Sequence, residues 1–279
     1  MKPKNSVKEL TRVHSHPIHD YIVDPMNQLI LIGASNVTIA FPRLVNGLAE
    51  RVGEPLEIWG VHGHGRSYGA WSKVLGRALP GITESRFWGA WTPADNSVPP
   101  RALITDIGND ILYGHDTDQI LGWVETCLGR LQDMGAQVVM TRLPLASLET
   151  LSRIRFRLAR KILFPRCGLS LADVSREALK LDAGVVELAQ RYSTPLTEPQ
   201  GHWYGLDPIH IRSRWIESAW QQILDDWFAG GPPPSFPRVG IRRDLQAWRW
   251  WPAERARRGR VTETPQPVFQ QNGLSVRLY

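Results

Sequence analysis

The chain has 279 residues, a formal net charge of +6, 42% hydrophobic and 22% charged residues, which is enough for one large domain or a domain with an appendage. No apolar run approaches the roughly 20 residues needed to span a bilayer, and residues 1–19 carry lysines without the apolar stretch of a secretory signal. Two cysteines, Cys127 and Cys167, exclude a disulfide framework and fit a reducing cytoplasm.

In chain order, Leu29 to Gly33 is a short apolar run of the kind buried on both faces of a sheet. Phe41, Leu44, Val45, Leu48 and Val52 then recur at helical spacing and stop at Gly53. Residues 56–61 predict a second strand and 68–79 a second helix, ended by Pro80 and Gly81. Residues 102–107 predict a third strand, 120–134 a helix capped by Gly135, and 137–141 a fourth strand. A long helical region follows over 147–191, then a short strand at 194–197 and a closing helix over 211–228. Strands separated by helices imply βαβ crossovers and a parallel sheet covered on both faces. Residues 1–27 form an N-terminal segment, 28–230 the main domain and 231–279 a C-terminal extension opened by Gly230-Gly231-Pro232-Pro233-Pro234.

Active groups in such folds sit where strands end, and four blocks fall there or beside loops. Gly33-Ala34-Ser35-Asn36 places a serine on a turn beside a helix start. Gly63-His64-Gly65-Arg66-Ser67 offers glycines whose N–H groups a substrate can approach closely. Ile107-Gly108-Asn109-Asp110 carries a side-chain amide donor. Asp207-Pro208-Ile209-His210 puts a base and an orienting carboxylate on one short loop. Together they match what acyl transfer through a serine needs: nucleophile, base, orienting group and oxyanion donors.

Over residues 28–228 these blocks resemble the SGNH hydrolase superfamily, the GDSL-like esterases and lipases. The resemblance implies a flavodoxin-like three-layer α/β/α sandwich with a central parallel sheet. It implies Ser35 as nucleophile, His210 as base and Asp207 as its orienting carboxylate. The oxyanion hole is then made by the Ser35 N–H, a glycine N–H and the Asn109 side chain. The glycine is Gly65 or Gly63; Gly65 is preferred because Arg66 and Ser67 then fill the small polar positions that commonly come after it. Ala34 stands where the family usually has aspartate, and Ile107 where it usually has glycine. The function implied is hydrolysis of a small-molecule acyl ester through an acyl-enzyme, without cofactor or metal. An acyltransferase or thioesterase would use the same groups.

Several competing patterns are present. Gly65-Arg66-Ser67-Tyr68-Gly69 fits the nucleophile-elbow pattern Gly-x-Ser-x-Gly, although only two strands precede it. His14, His16 and His19, and His62 with His64, have spacings seen among zinc ligands. Between Arg238 and Arg260 lie eight arginines against two acids, so the positive charge belongs to the extension. With Trp248, Trp250 and Trp251 it could contact phosphates or headgroups, although packing of the tryptophans on the main domain is preferred. Nucleic acid and membranes are therefore not expected as principal partners. Leu151, Ile154, Leu158 and Ile162 form an apolar stripe opposite basic residues, read as a surface helix in preference to a lid or a docking surface for an acidic carrier. Asn272-Gly273 predicts a type I′ hairpin turn, and the alternating Leu274, Val276 and Leu278 need a cover, either the chain's own domain or, slightly preferred, a homodimer partner.

Overall fold

A computed structural model describes residues 25–279 apart from 75, 95, 96, 165, 166, 239 and 241–249. The strands are β1 (Asn27–Ile32), β2 (Leu56–Val61), β3 (Ser72–Val74), β4 (Arg77–Leu79), β5 (Arg101–Ile104), β6 (Gln137–Thr141), β7 (Leu196–Thr197), β8 (Glu254–Arg257), β9 (Arg260–Glu263), β10 (Phe269–Gln271) and β11 (Leu274–Leu278). The helices are α1 (Ser35–Val52), α2 (Phe87–Ala90), α3 (Asn109–Tyr113), α4 (Thr117–Asp133), α5 (Leu145–Glu149), α6 (Arg153–Leu163), α7 (Leu171–Arg191) and α8 (Ile216–Ile223). Seven strands form the main sheet in the order β10-β11-β2-β1-β5-β6-β7, and β3-β4-β8-β9 form a second, smaller one. Only the β10–β11 pairing in the main sheet is antiparallel.

Alternate side chains of a strand point to opposite faces, and β1 uses both. Ile30 and Ile32 pack with Val124, Leu128 and Val185 of α4 and α7. Leu29 and Leu31 pack with Val37 and Leu44 of α1 and Trp220 of α8. The result is a three-layer α/β/α sandwich around a mostly parallel sheet. In its register, Ile32 pairs with both Val61 and Ile104. The loops after β1, β2 and β5 therefore leave the carboxyl edge side by side.

The structure departs from the predicted elements in several places. The third strand, expected over 102–107, ends at Ile104, because Asp106 turns the chain with a left-handed φ of 61°. Among the described residues, 68–79 hold no helix but a loop and the paired strands β3 and β4. Ser67 Oγ accepts from the N–H groups of Gly69 and Ala70 at 3.2 and 2.9 Å, and Asp110 accepts from Tyr68 N at 2.8 Å. Side-chain acceptors thus take the main-chain donors that a helix would use. A Cβ on Gly69 would also lie 1.8 Å from the Trp123 ring. The region 147–191 is divided among α5, α6 and α7, with Ser152 and Ser170 capping the last two. The expected stripe on α6 does not form one inward face: Leu151 is buried, whereas Ile154 and Leu158 are exposed and Phe156 points inward. The Ile162 side chain lies outside what is described. Finally, the helix expected over 211–228 is shortened to α8 and a 3-10 turn over Asp225–Phe228.

Beyond residue 230 the chain returns to the sheet. Asn272 and Gly273 take φ values of 49° and 76°, the positive pair a type I′ turn requires. Strand β11 then runs parallel to β2 of the same chain, pairing Val276 with Ile58. Trp250 contacts Phe41 and Phe269, and Arg255 stacks over Trp251; Trp248 lies outside the described residues. Among the described residues no helix is long and apolar enough to cross a membrane. Val276 is fully buried, so Val276→Ala should cost about 2 kcal/mol of stability from lost burial and the cavity left behind. Urea unfolding would measure it; an unchanged midpoint would mean that β11 adds nothing to the core.

Candidate active site

Ser35 is the first residue of α1 and is buried. On either side of its own N–H, the N–H groups of Ala34 and Asn36 donate to Asp106 Oδ2 at 2.9 and 3.0 Å. No described residue accepts from the Ser35 N–H itself. That N–H sits at the positive end of an 18-residue helix, where anions are favoured. Asp106 adopts φ 61°, a left-handed conformation that costs a non-glycine residue about 1–2 kcal/mol. Its carboxylate also accepts from Asn36 Nδ2 at 2.7 Å. Charge-assisted bonds of about 1.5–3 kcal/mol each outweigh that strain.

A pocket of about 90 Å³ opens here, lined by Ser35, Asn109, Ile209 and Ile211 together with apolar side chains such as Leu143, Leu148, Val174 and Ala178. Asn109 opens α3, and its Nδ2 is buried without a hydrogen-bond partner. A buried amide donor left unpaired costs about 1–3 kcal/mol, so its place in the wall of a pocket invites an acceptor.

His210 lies between two lining residues, and its Nδ1 is 2.6 Å from Asp207 Oδ2. A carboxylate only accepts, so Nδ1 carries a proton, and in the neutral ring Nε2 keeps a free lone pair. Asp207 Oδ1 accepts from the N–H groups of Ile209 and His210, tightening the loop. Burial lowers the pKa of His210, but the hydrogen bond to Asp207 and the charges of Asp207 and Asp106 outweigh it, and the net shift is upward. Burial raises the pKa of Asp207, and bonding to His210 overcomes that to leave it lowered. Among the described hydrogen bonds, none joins Ser35 Oγ to His210.

The loop after β2 lies beside these groups without lining the pocket. Gly65 takes φ 60°, its carbonyl accepts from Tyr113 Oη at 2.6 Å, and a Cβ there would lie 2.6 Å from Val74. A Cβ on Gly63 would lie 2.3 Å from Leu79. His64 is close enough to His210 and Asp106 to feel both charges; burial, Arg77 and His210 lower its pKa, against Asp106. His62 Nδ1 is 3.0 Å from Thr38 Oγ1, whose proton goes to the Ala34 carbonyl at 2.6 Å. Thr38 must then accept from His62, and burial first, with nearby Arg66, lowers the pKa of His62 to about 3. Buried Arg66 donates to the Pro80 carbonyl at 3.0 Å and to the main-chain oxygen of Tyr279. Ser67, the serine of the elbow-like pattern, is fully buried and spends its Oγ on main-chain N–H groups. His14, His16 and His19 lie outside the described residues.

Neither a protein-family model nor a curated protein matches this sequence. Solved structures do. The psychrotrophic esterase EstA from Pseudoalteromonas sp. superposes with a TM-score of 0.45 at 10% identity, covering 72% of this chain and 98% of that one. The aryl esterase of M. smegmatis gives 0.44 at 13% identity, over 67% of this chain and 91% of that one. The protein TesA gives 0.44 at 15% identity, over 72% and 96%. None of these scores reaches one half.

The structure brings Ser35, Asn109 and the two neighbours of His210 to one pocket, pairs His210 with Asp207, and leaves Gly65 and Gly63 outside the lining. Sequence reasoning misses Asp106 and Asn36, although both stand inside the quoted blocks or one residue away. An acid interrupting the apolar run 102–107 is the available signal. NMR titration of the His210 ring should give a pKa above the ordinary 6.5, and Asp207→Asn should lower it by removing the acceptor and its charge. A value at or below 6.5 in the unaltered protein would contradict the pairing.

Proposed function

We propose that this chain is a serine-dependent hydrolase of carboxylic esters, of the SGNH type, working through an acyl-enzyme. The observation that carries the reading is the convergence on one apolar pocket of Ser35 and the unpartnered Asn109 amide, with both residues that flank the Asp207-bound His210.

In this reading Ser35 Oγ attacks the ester carbonyl as His210 Nε2 takes its proton, and Asp207 steadies the resulting imidazolium. The oxyanion is met by the Ser35 N–H and Asn109 Nδ2 in the pocket wall, and the third donor is the Gly65 N–H from the adjoining loop, which does not line the pocket. These are fixed donors, and such donors contribute more in the transition state than in the ground state. His210 returns the proton to the departing alcohol. Water then attacks the acyl-enzyme by the same path, releasing the acid and restoring Ser35. The apolar wall formed by Leu143, Leu148, Val174 and Ala178 takes the acyl group.

Two substitutions test the assignment with p-nitrophenyl esters. Ser35→Ala should lower kcat by about 10³-fold or more, since no other group forms the acyl-enzyme. Asn109→Ala should lower kcat by about 10²–10³-fold with a smaller change in KM. Undiminished turnover by Ser35→Ala would remove the proposal. Because His210 must be deprotonated to act, kcat/KM should rise with pH through an apparent pKa above 6.5; a flat profile from about pH 5 to 8 would exclude His210 as the base.

A further inference from the structure

We propose that Asn36 is a positioning residue, which holds the His210 loop in register with the nucleophile turn through a carboxamide that Asp106 orients. This rests on the hydrolase reading above and names a group that the reading does not use.

Asn36 follows Ser35 directly, and its side chain reaches across to the loop of the base. Its Nδ2 donates to the Ile209 carbonyl at 2.9 Å, and its Oδ1 accepts from the Ile211 N–H at 2.9 Å. These belong to the residues on either side of His210. Among the described hydrogen bonds they are the two that join residues 33–36 to residues 207–211. Other bonds come from elsewhere: Ser147 Oγ donates to the Pro208 carbonyl of that loop at 2.6 Å, and Arg155 to the Gly205 carbonyl just before it at 2.5 Å. The direct tie between the loop of the base and the nucleophile turn is thus made by one side chain.

The carboxamide has no freedom to turn over. The second Nδ2 proton goes to Asp106 Oδ1 at 2.7 Å. Flipping the amide would place oxygen against the Asp106 carboxylate and the Ile209 carbonyl, and NH2 against the Ile211 N–H. Three favourable contacts would become three repulsive ones. Asp106 is fixed in turn by the N–H groups of Ala34 and Asn36, so the clamp is anchored on the nucleophile turn. An apolar residue at 36 would leave the Ile209 carbonyl, the Ile211 N–H and one Asp106 oxygen without these partners. An acid there would meet Asp106 and the Ile209 carbonyl with like polarity.

The test compares Asn36→Ala and Asn36→Asp with the unaltered enzyme on a soluble p-nitrophenyl ester, each normalised to the sites titrated by a fluorophosphonate. Turnover and Ser35 labelling of the unaltered enzyme come first, and failure there would remove the hydrolase reading before Asn36 is tested. Given activity, Asn36→Ala should lower kcat by up to about 10²-fold, the scale set by an ångström of misplacement, with KM nearly unchanged. Asn36→Asp should be impaired at neutral pH and regain ground relative to the unaltered enzyme as pH falls, because its protonated carboxyl can again donate. A purely structural role would lower the titratable fraction and leave kcat per titrated site alone. Values of kcat within about threefold of the unaltered enzyme in both variants, or a loss confined to KM, would overturn the proposal. Should Asn36→Ala not fold, Asn36→Asp, which has the same shape, decides alone.

Discussion

The segment from Thr105 to Asp110, the turn after β5 and the start of α3, supplies the acceptors that tie together the loops after β1 and β2. Its two carboxylates are used on other loops. Asp106 takes the N–H groups on both sides of Ser35, and Asp110, fully buried, takes the N–H of Tyr68. The Tyr68 hydroxyl returns a bond of 2.6 Å to the Thr105 carbonyl. Three chain segments that share only the register of β1, β2 and β5 are thereby locked at their free ends, where main-chain donors would otherwise lack partners. The left-handed backbone of Asp106 is the counterpart of this role, since it is the conformation that lets one carboxylate reach three donors.

The same arrangement sorts the histidines at this edge. Burial keeps His62 neutral down to about pH 3, and its ring serves the Thr38 hydroxyl and packs on Phe41. His64 is also shifted down, by burial and by neighbouring cations. His210 alone of the three is shifted up, because two carboxylates face it. Of these three imidazoles, His210 is therefore the one that the fold keeps able to take up a proton near neutral pH.

How much of this the sequence carries differs by element for physical reasons. Strands β1 and β6 are legible because a strand covered on both faces carries a short apolar run. The Asp207–His210 pair is legible because both partners stand on one short loop, where spacing and geometry nearly coincide. The pairing of β3 with β4 is not, because what prevents a helix is remote: Asp110 claiming an N–H, and the Trp123 ring lying against Gly69. The link between Asn36 and Ile209 is equally hidden, since nothing local to either residue specifies the other. Seating β11 on β2 is a tertiary outcome too; the alternation of Leu274, Val276 and Leu278 states that a cover is needed but not which strand supplies it.

That seating has a consequence for how the chain acquires its structure. Strand β2 lies beside β1, its near neighbour in sequence, on one side, and beside β11 on the other. Pairings between segments so far apart close late, because the loop entropy must be met before any contact rewards it. During synthesis the outer edge of β2 therefore stays open, with its ladder groups unpaired, until residues 269–278 have emerged. An open apolar edge is a template for association with other chains. The interval before the last strand arrives is thus when this protein is most exposed to aggregation, and ribosome-bound chains lacking β11 are the species a chaperone would need to shield.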